Sequence, residues 1–199
     1  TSTVSGEGKT FIAINLALST ALLNKRVLLI GLDLRIPRFR EYLNLDTKNG
    51  ITSYLSGFEK DIDKLVIPTG LHPNFYVLPS GPIPPNPAEL LSRSSLDTAI
   101  EKLKEEFDYI YIDSAPSALV TDTLVLSRVT DATIYVCRMD YSSKGNIRYA
   151  NDLMEQKKLK NMLLVINDVS EFHRGYGYGY GYGYGYGYSV KDKKSRKKD

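Results

Sequence analysis

Apolar residues in the first 170 positions form short continuous runs that are separated by longer amphipathic stretches. Continuous apolar runs of about five residues, bounded by charged or turn-forming residues, predict strands covered on both faces of a parallel sheet. We predict such strands at residues 26–31, 75–79, 108–113, 132–137 and 162–167. Apolar residues at helical spacing predict helices at residues 10–23, 87–91, 96–106, 121–128 and 146–157.

This alternation of strands and helices predicts an α/β fold with a doubly wound, mostly parallel sheet. Such a sheet binds its ligand beyond the carboxyl ends of the strands. The pattern ends near residue 170, so we predict one domain over residues 1–170. Residues 171–199 contain the run GYGYGYGYGYGYGY and then a basic segment, with almost no aliphatic residues. We predict that this second part is a flexible tail.

Composition and charge narrow the possible classes of protein. The 199 residues are 42% hydrophobic and 25% charged, as in ordinary globular proteins, and no apolar run is long enough for a membrane-spanning helix. The single cysteine, Cys137, favours a reducing, cytoplasmic compartment. Residues 189–199 hold six Lys or Arg against two Asp, which suggests either contact with an acidic surface or a solubilising end. Because the basic residues concentrate there, no nucleic-acid partner is predicted.

A phosphate-binding loop is predicted at residues 3–10, TVSGEGKT, which match the pattern GxxxxGK[ST] except for threonine at the first glycine. Gly6 and Gly8 allow a tight turn whose N–H groups face phosphate oxygens. Lys9 would reach the β- and γ-phosphates, and the Thr10 hydroxyl would bind Mg²⁺. The predicted nucleotide-binding residues here are Val4, Ser5, Gly6, Glu7, Gly8, Lys9, Thr10 and Phe11. The alternative is a glycine-rich turn with an exposed lysine.

Two carboxylates follow predicted strands. Asp113 ends the run DYIYID, a Walker B arrangement, and Asp33 follows RVLLIG. Structural alternatives are a strand-ending turn for Asp113, a helix N-cap for Asp33 and a solvated charge for Arg35. Together with the phosphate loop, the two carboxylates predict binding of ATP and Mg²⁺. The predicted catalytic residues are Lys9, Asp33 and Asp113, and the predicted metal ligands are Thr10, Asp33 and Asp113.

The motifs TSTVSGEGKT, VLLIGLDLRIP, LPSGPIPPNPAELL and DYIYIDSAP, with the tyrosine cluster, resemble the cytoplasmic kinase domain of bacterial tyrosine kinases. These are the P-loop autokinases of capsular and exopolysaccharide export. The resemblance implies ATP-dependent autophosphorylation between neighbouring copies in a ring-like homo-oligomer. It implies a contact of Asn167 with adenine. The implied acceptors are Tyr176, Tyr178, Tyr180, Tyr182, Tyr184, Tyr186 and Tyr188.

The same resemblance implies a membrane polysaccharide co-polymerase, fused or separate, and an opposing tyrosine phosphatase as partners. It implies a cytoplasmic domain tethered to the plasma membrane by a segment outside this chain. The loop lacks the strand that normally precedes it, so we expect the sequence to belong to a longer polypeptide.

One departure from the family pattern keeps other functions open. The family has Asp where this chain has Gly31. A non-catalytic ATP-binding regulatory module is therefore an alternative. A partition-type ATPase is a second alternative, disfavoured because Val4 stands at its signature lysine and because of the tyrosine tail. The tail could also be an adhesive low-complexity segment.

Overall fold

The computed structural model describes residues 1–45 and 47–169. All of these residues belong to one compact unit, Thr1–Val169. Its helices are α1 (Lys9–Ala21), α2 (Phe39–Tyr42), α3 (Ile51–Leu55), α4 (Pro87–Ser92), α5 (Ser94–Lys104), α6 (Asp122–Leu126) and α7 (Lys144–Glu155). Its strands are β1 (Val27–Leu32), β2 (Ile67–Pro68), β3 (Phe75–Leu78), β4 (Tyr109–Ser114), β5 (Thr133–Arg138) and β6 (Met162–Asn167). Short 3₁₀ turns occur at Ile62–Leu65 and Ser127–Val129.

The described strands form two sheets. In the larger sheet the order is β2-β3-β1-β4, with β1 parallel to both β3 and β4 and with β2 antiparallel at the edge. In the register between β1 and β4, Gly31 lies opposite Asp113. The second sheet is the parallel pair β5-β6, and Ser2 forms an isolated parallel bridge with Val136 of β5. The predicted α/β class with a mostly parallel sheet is confirmed.

Helices cover both faces of the larger sheet, as the continuous apolar run of β1 predicts. On one face, Ala17 and Ala21 of α1 are completely buried against Leu29 and Val77. The small alanine side chains let the helix approach the sheet closely, which places the beginning of α1 beside the carboxyl ends of the strands. On the other face, Leu28 packs with residues of α4 and α5 in a larger core cluster.

The prediction that the strands are covered on both faces of the sheet is wrong for β6. Leu163, Leu164 and Ile166 are all more than half exposed. In the described part of the chain, β6 pairs with β5 alone, so it is an edge strand rather than a central one. The apolar pattern reports hydrophobicity and cannot report how many neighbours a strand has.

The short elements α2, α3 and β2 were not predicted, because four or five residues give too little periodicity and β2 contains Pro68. The helix predicted at residues 121–128 ends earlier, at Leu126, and continues as the 3₁₀ turn. Within the described residues, no helix has the length and apolar character needed to cross a lipid bilayer.

Candidate nucleotide and metal site

The phosphate loop depends on two glycines with left-handed backbone conformations. The φ angle is 87° at Gly6 and 96° at Gly8, which directly precedes α1. A Cβ atom at Gly6 would lie 2.9 Å from the Tyr141 hydroxyl, and one at Gly8 would collide with the side-chain amide of Asn167. Glycine is required at both positions by conformation and by space.

The carbonyl groups of the loop are held from behind by the end of β5 and the turn that follows it. Tyr141 donates its hydroxyl proton to the Ser5 carbonyl at 3.0 Å, and Arg138 donates from Nη1 to the Gly6 carbonyl at 3.1 Å. The Arg138 guanidinium also lies 5.3 Å from the centre of the Tyr141 ring. The C=O and N–H groups of one peptide unit point in opposite directions. The two hydrogen bonds to the Ser5 and Gly6 carbonyls therefore direct the N–H groups of Gly6 and Glu7 away from Arg138 and Tyr141.

Glu7 completes this support with both its backbone and its side chain. Asn167 donates from Nδ2 to the Glu7 carbonyl at 3.0 Å. The Glu7 carboxylate is completely buried and accepts hydrogen bonds from the Val4 N–H, at 2.8 Å, and from the Ser142 hydroxyl. The carboxylate therefore fixes the loop, and only the backbone N–H of Glu7 is left available to a ligand.

Thr10 and Asp113 meet at the start of α1. The Thr10 hydroxyl donates to Oδ2 of Asp113 at 2.7 Å, although 103 residues separate them in sequence. The other carboxylate oxygen, Oδ1, is buried without a hydrogen-bond partner among the described residues. Burial raises the pKa of Asp113, and the hydrogen bond from Thr10 opposes this shift. Burial lowers the pKa of Lys9, while the negative charges of Asp113 and Asp33 act to raise it.

A buried carboxylate oxygen without a partner, beside a hydroxyl, fits a hard divalent cation such as Mg²⁺, which prefers oxygen ligands. Among the described residues no group of three or more His, Cys, Asp or Glu converges on one point. A cation at Thr10 and Asp113 would therefore complete its coordination with phosphate oxygens and water, as is usual for Mg²⁺ bound with a nucleotide.

Asp33 is held in a tight turn after β1. Its Oδ1 accepts hydrogen bonds from the backbone N–H groups of Arg35, at 3.2 Å, and Ile36, at 3.0 Å. Arg35 in turn donates to both carboxylate oxygens of the buried Asp122, at the start of α6. Arg35 is exposed, as the solvated-charge alternative expects, but its guanidinium is also paired with a buried carboxylate. The helix N-cap alternative for Asp33 is wrong, because the N–H groups that it binds lie in a bend and α2 begins only at Phe39.

Seven of the eleven residues predicted for catalysis, nucleotide binding or metal binding share one cavity of about 230 Å³. Those that line it are Ser5, Gly6, Gly8, Lys9, Thr10, Phe11 and Asp33. Asp113 reaches the site through Thr10, whereas Val4, Glu7 and Asn167 support the loop and are not among the lining residues. The predicted acceptors, Tyr176 to Tyr188, lie outside the described residues.

Sequence reasoning missed four side chains that support the site. Arg138 ends β5, Tyr141 and Ser142 lie in the turn that follows, and no motif marks any of the three. Asp122 could have been noticed as an acidic residue at a helix start, but nothing in the sequence connects it to Arg35, which is 87 residues away.

A phosphate loop that opens the first helix, with acidic residues at the ends of adjacent parallel strands, defines a P-loop nucleotide-binding protein. In agreement, the model of the AAA domain family matches residues 3–166. The chain is 36% identical over 172 residues to Tyrosine-protein kinase CpsD of Streptococcus agalactiae serotype Ia, covering 86% of this chain and 73% of that protein. The chain therefore belongs to the family of bacterial tyrosine-protein kinases.

Two further proteins that are similar to this chain are also named as tyrosine kinases. The chain is 36% identical over 178 residues to Tyrosine-protein kinase ptk of Acinetobacter johnsonii, covering 87% of this chain and 24% of that protein. The chain thus spans about a quarter of the length of ptk. The kinase domain of the Escherichia coli tyrosine kinase ETK superimposes with a TM-score of 0.81 at 27% identity, covering 92% of this chain and 71% of that one.

Proposed function

We propose that this chain transfers the γ-phosphoryl group of ATP, with Mg²⁺, to tyrosines 176–188 of a neighbouring copy. The observation that carries the proposal is that Asp33 lines the same cavity as Lys9 and other residues of the loop. Asp113 is joined to this cavity by its hydrogen bond with Thr10. The family membership supports a tyrosine as the acceptor, and the chain carries seven tyrosines in alternation with glycine.

Each residue of the site has a distinct part in the transfer. The N–H groups of the loop and the Lys9 ammonium bind phosphate oxygens and offset the charge that develops on them. Thr10 and Asp113 would hold Mg²⁺, which when bound neutralises the phosphate oxygens. Asp33 accepts the phenolic proton while the tyrosine oxygen bonds to the γ-phosphorus and the bond to ADP breaks.

The wider role follows from the same proposal. Phosphorylation in trans implies contact between copies, which a ring-like homo-oligomer provides. The family resemblance supports regulation of capsule or exopolysaccharide polymerisation and export, with a membrane co-polymerase that tethers the domain and a phosphatase that reverses the reaction. Each phosphate adds about −1.5 to −2 charges at pH 7. Seven modified tyrosines would make adjacent tails repel one another.

A non-catalytic, ATP-binding regulatory module is the second candidate, and Gly31 is the observation that favours it. Incubation of the full chain with ATP and Mg²⁺, followed by intact and tandem mass spectrometry, separates the two. Phosphates on tyrosines 176–188 that disappear in Lys9→Met support the kinase. ATP binding without any phosphate on the tail would contradict it and favour the module.

A further inference from the structure

A second cavity, with a volume of about 420 Å³, lies at the carboxyl end of β3. It is lined by residues within 37–48 and by Pro79, Ser80 and Gly81, which directly follow that strand. The last three belong to the motif LPSGPIPPNPAELL, which contributes nothing to the nucleotide cavity. β3 pairs in parallel with β1, and doubly wound sheets bind their ligands beyond the carboxyl ends of parallel strands. The volume and the position of this cavity are therefore those of a ligand site.

The backbone at residues 79–81 is held in place by α3. The carbonyl groups of Pro79 and Ser80 accept hydrogen bonds from the backbone N–H groups of Ile51, at 2.8 Å, and Thr52, at 3.0 Å. Gly81 has a φ angle of 84°, and a Cβ atom there would lie 2.6 Å from the Thr52 hydroxyl oxygen, so that glycine is required. This part of the cavity is formed before any ligand binds, which lowers the entropic cost of binding.

Most of the residues that line the second cavity carry polar or charged side chains. They are Arg40, Glu41, Asn44, Thr47, Lys48 and Ser80. Arg40 donates from Nε to the Leu45 carbonyl at 2.8 Å, which orients the guanidinium. Among the described residues, neither Arg40 nor Lys48 has an ion-pair partner. The described lining therefore carries two cations and one carboxylate, that of Glu41.

This lining favours one class of ligand. Arginine and lysine both bind phosphate oxygens, and a phosphate monoester, with about −1.5 to −2 charges at pH 7, matches two cations. The Glu41 carboxylate and the Asn44 amide together accept and donate hydrogen bonds, as the hydroxyl groups of a sugar require. Among the described residues that line the cavity, no side chain is aromatic, and Pro37, Leu45 and Pro79 alone are apolar. An aromatic ligand group is therefore disfavoured.

We infer that the second cavity binds a phosphorylated sugar, which acts as an effector of nucleotide binding. The phosphate group contacts Arg40 and Lys48, and the sugar hydroxyl groups contact Glu41 and Asn44. Neither part of this inference depends on phosphate transfer to tyrosine, so its test is separate from that of the proposed kinase function.

The role as an effector follows from a segment that the two cavities share. Ile36, Arg38 and Tyr42 line the nucleotide cavity, whereas Arg40 and Glu41 line the second cavity. A ligand bound to Arg40 and Glu41 therefore restricts the segment that also borders the nucleotide. Because such coupling is reciprocal, each ligand changes the affinity of the protein for the other.

Titration of the full-length chain with glucose 1-phosphate, followed by amide NMR, tests the site. ADP and Mg²⁺ are present throughout, so that the phosphate loop is occupied. The amide signals of Ser80 and Gly81 should shift and saturate with a Kd of about 1 mM. Arg40→Ala and Lys48→Ala should each raise this Kd about fivefold. Lys64→Ala is the matched control, because Lys64 is exposed and lines neither cavity, and it should leave the Kd unchanged. No binding at about 20 mM would overturn the site.

Simpler probes test the ligand class in the same titration. Glucose and inorganic phosphate should each bind about tenfold more weakly than glucose 1-phosphate, because each makes only part of the contacts. Inorganic phosphate that binds as tightly as glucose 1-phosphate would overturn the sugar assignment. Phosphotyrosine that binds more tightly would also overturn it and favour an aromatic ligand. Shifts at Gly6 and Gly8 in place of Ser80 and Gly81 would assign the probe to the phosphate loop and overturn the second site.

Isothermal titration of ADP and Mg²⁺ tests the role as an effector. Saturating glucose 1-phosphate should change the Kd for ADP by a factor of about three or more, and Arg40→Ala should reduce this change. An equal Kd for ADP with and without glucose 1-phosphate would overturn the effector role, even where the NMR titration shows binding at Ser80 and Gly81.

Discussion

The guanidinium of Arg35 binds the carboxylate of Asp122 through two hydrogen bonds, 2.8 Å from Nε and 3.0 Å from Nη2. Asp122 is completely buried, whereas the Arg35 side chain is 39% exposed. Since Asp33 accepts the backbone N–H of Arg35, this ion pair connects the turn that carries Asp33 to the start of α6. It thereby fixes the position of the carboxylate that we propose as the base.

Substitution of Arg35 and substitution of Asp122 should lower the free energy of unfolding by different amounts. Arg35→Ala leaves a buried carboxylate without its cation and should lower the free energy of unfolding by about 2 kcal/mol, allowing for the partial exposure of Arg35. Asp122→Asn leaves a neutral amide and should cost about 1 kcal/mol. Urea denaturation of both variants and of the double variant measures the coupling. Losses that add in the double variant would show that the pair contributes no coupling energy, and equal losses in the two single variants would contradict the expected asymmetry.

The Glu7 carboxylate should govern nucleotide affinity without contacting the nucleotide through its side chain. In Glu7→Ala, the Val4 N–H and the Ser142 hydroxyl lose their buried acceptor, so the loop relaxes. We expect the Kd for ATP to rise about tenfold. Ser142→Ala removes only one of these two hydrogen bonds and should have a smaller effect. Isothermal titration of ATP measures both, and an unchanged Kd in Glu7→Ala would contradict the supporting role.

Asp113→Asn should separate stability from activity. The buried Oδ1 of Asp113 has no partner among the described residues, and a neutral amide costs less to bury than a carboxylate. The ligand-free variant should therefore be more stable, by about 1 kcal/mol, while phosphate transfer falls by a factor of about 100 or more. Thermal melting in EDTA and tail phosphorylation provide the two measurements. A less stable ligand-free variant would mean that this carboxylate is well compensated.

Gly31→Asp should strengthen Mg²⁺ binding. Gly31 lies opposite Asp113 in adjacent strands, and facing residues project to the same side of a sheet. An introduced carboxylate would therefore stand beside Asp113 and attract the cation. We expect the Mg²⁺ concentration for half-maximal phosphorylation to fall about fivefold. Gly31→Asn, of the same size without charge, is the control, and an equal response in both variants would exclude the electrostatic explanation.

The sequence predicts those elements that can be recognised from residues close to one another along the chain. β1 and β6 are continuous apolar runs, and the phosphate loop is defined by residues within a few positions of one another. The sequence does not predict relationships set by tertiary packing. The exposure of Leu164 follows from the edge position of β6, and the pairing of Arg35 with Asp122 follows from the approach of two distant segments. The orientation of Glu7 follows from the partners behind the loop, which the pattern GxxxxGK[ST] leaves open.

The supports of the site are divided between the two sheets. The loop carbonyls are held by Arg138 and Asn167, at the ends of β5 and β6, whereas Asp113 belongs to β4 in the larger sheet. A nucleotide and cation held by the loop and by Asp113 would therefore link the two sheets without a covalent bond, so that separating the sheets also costs the binding free energy. Amide hydrogen exchange in β6 should then slow when ADP and Mg²⁺ bind, although most of this strand lies away from the cavity. The bound ligand, and not the protein alone, would then join the two sheets at the phosphate loop.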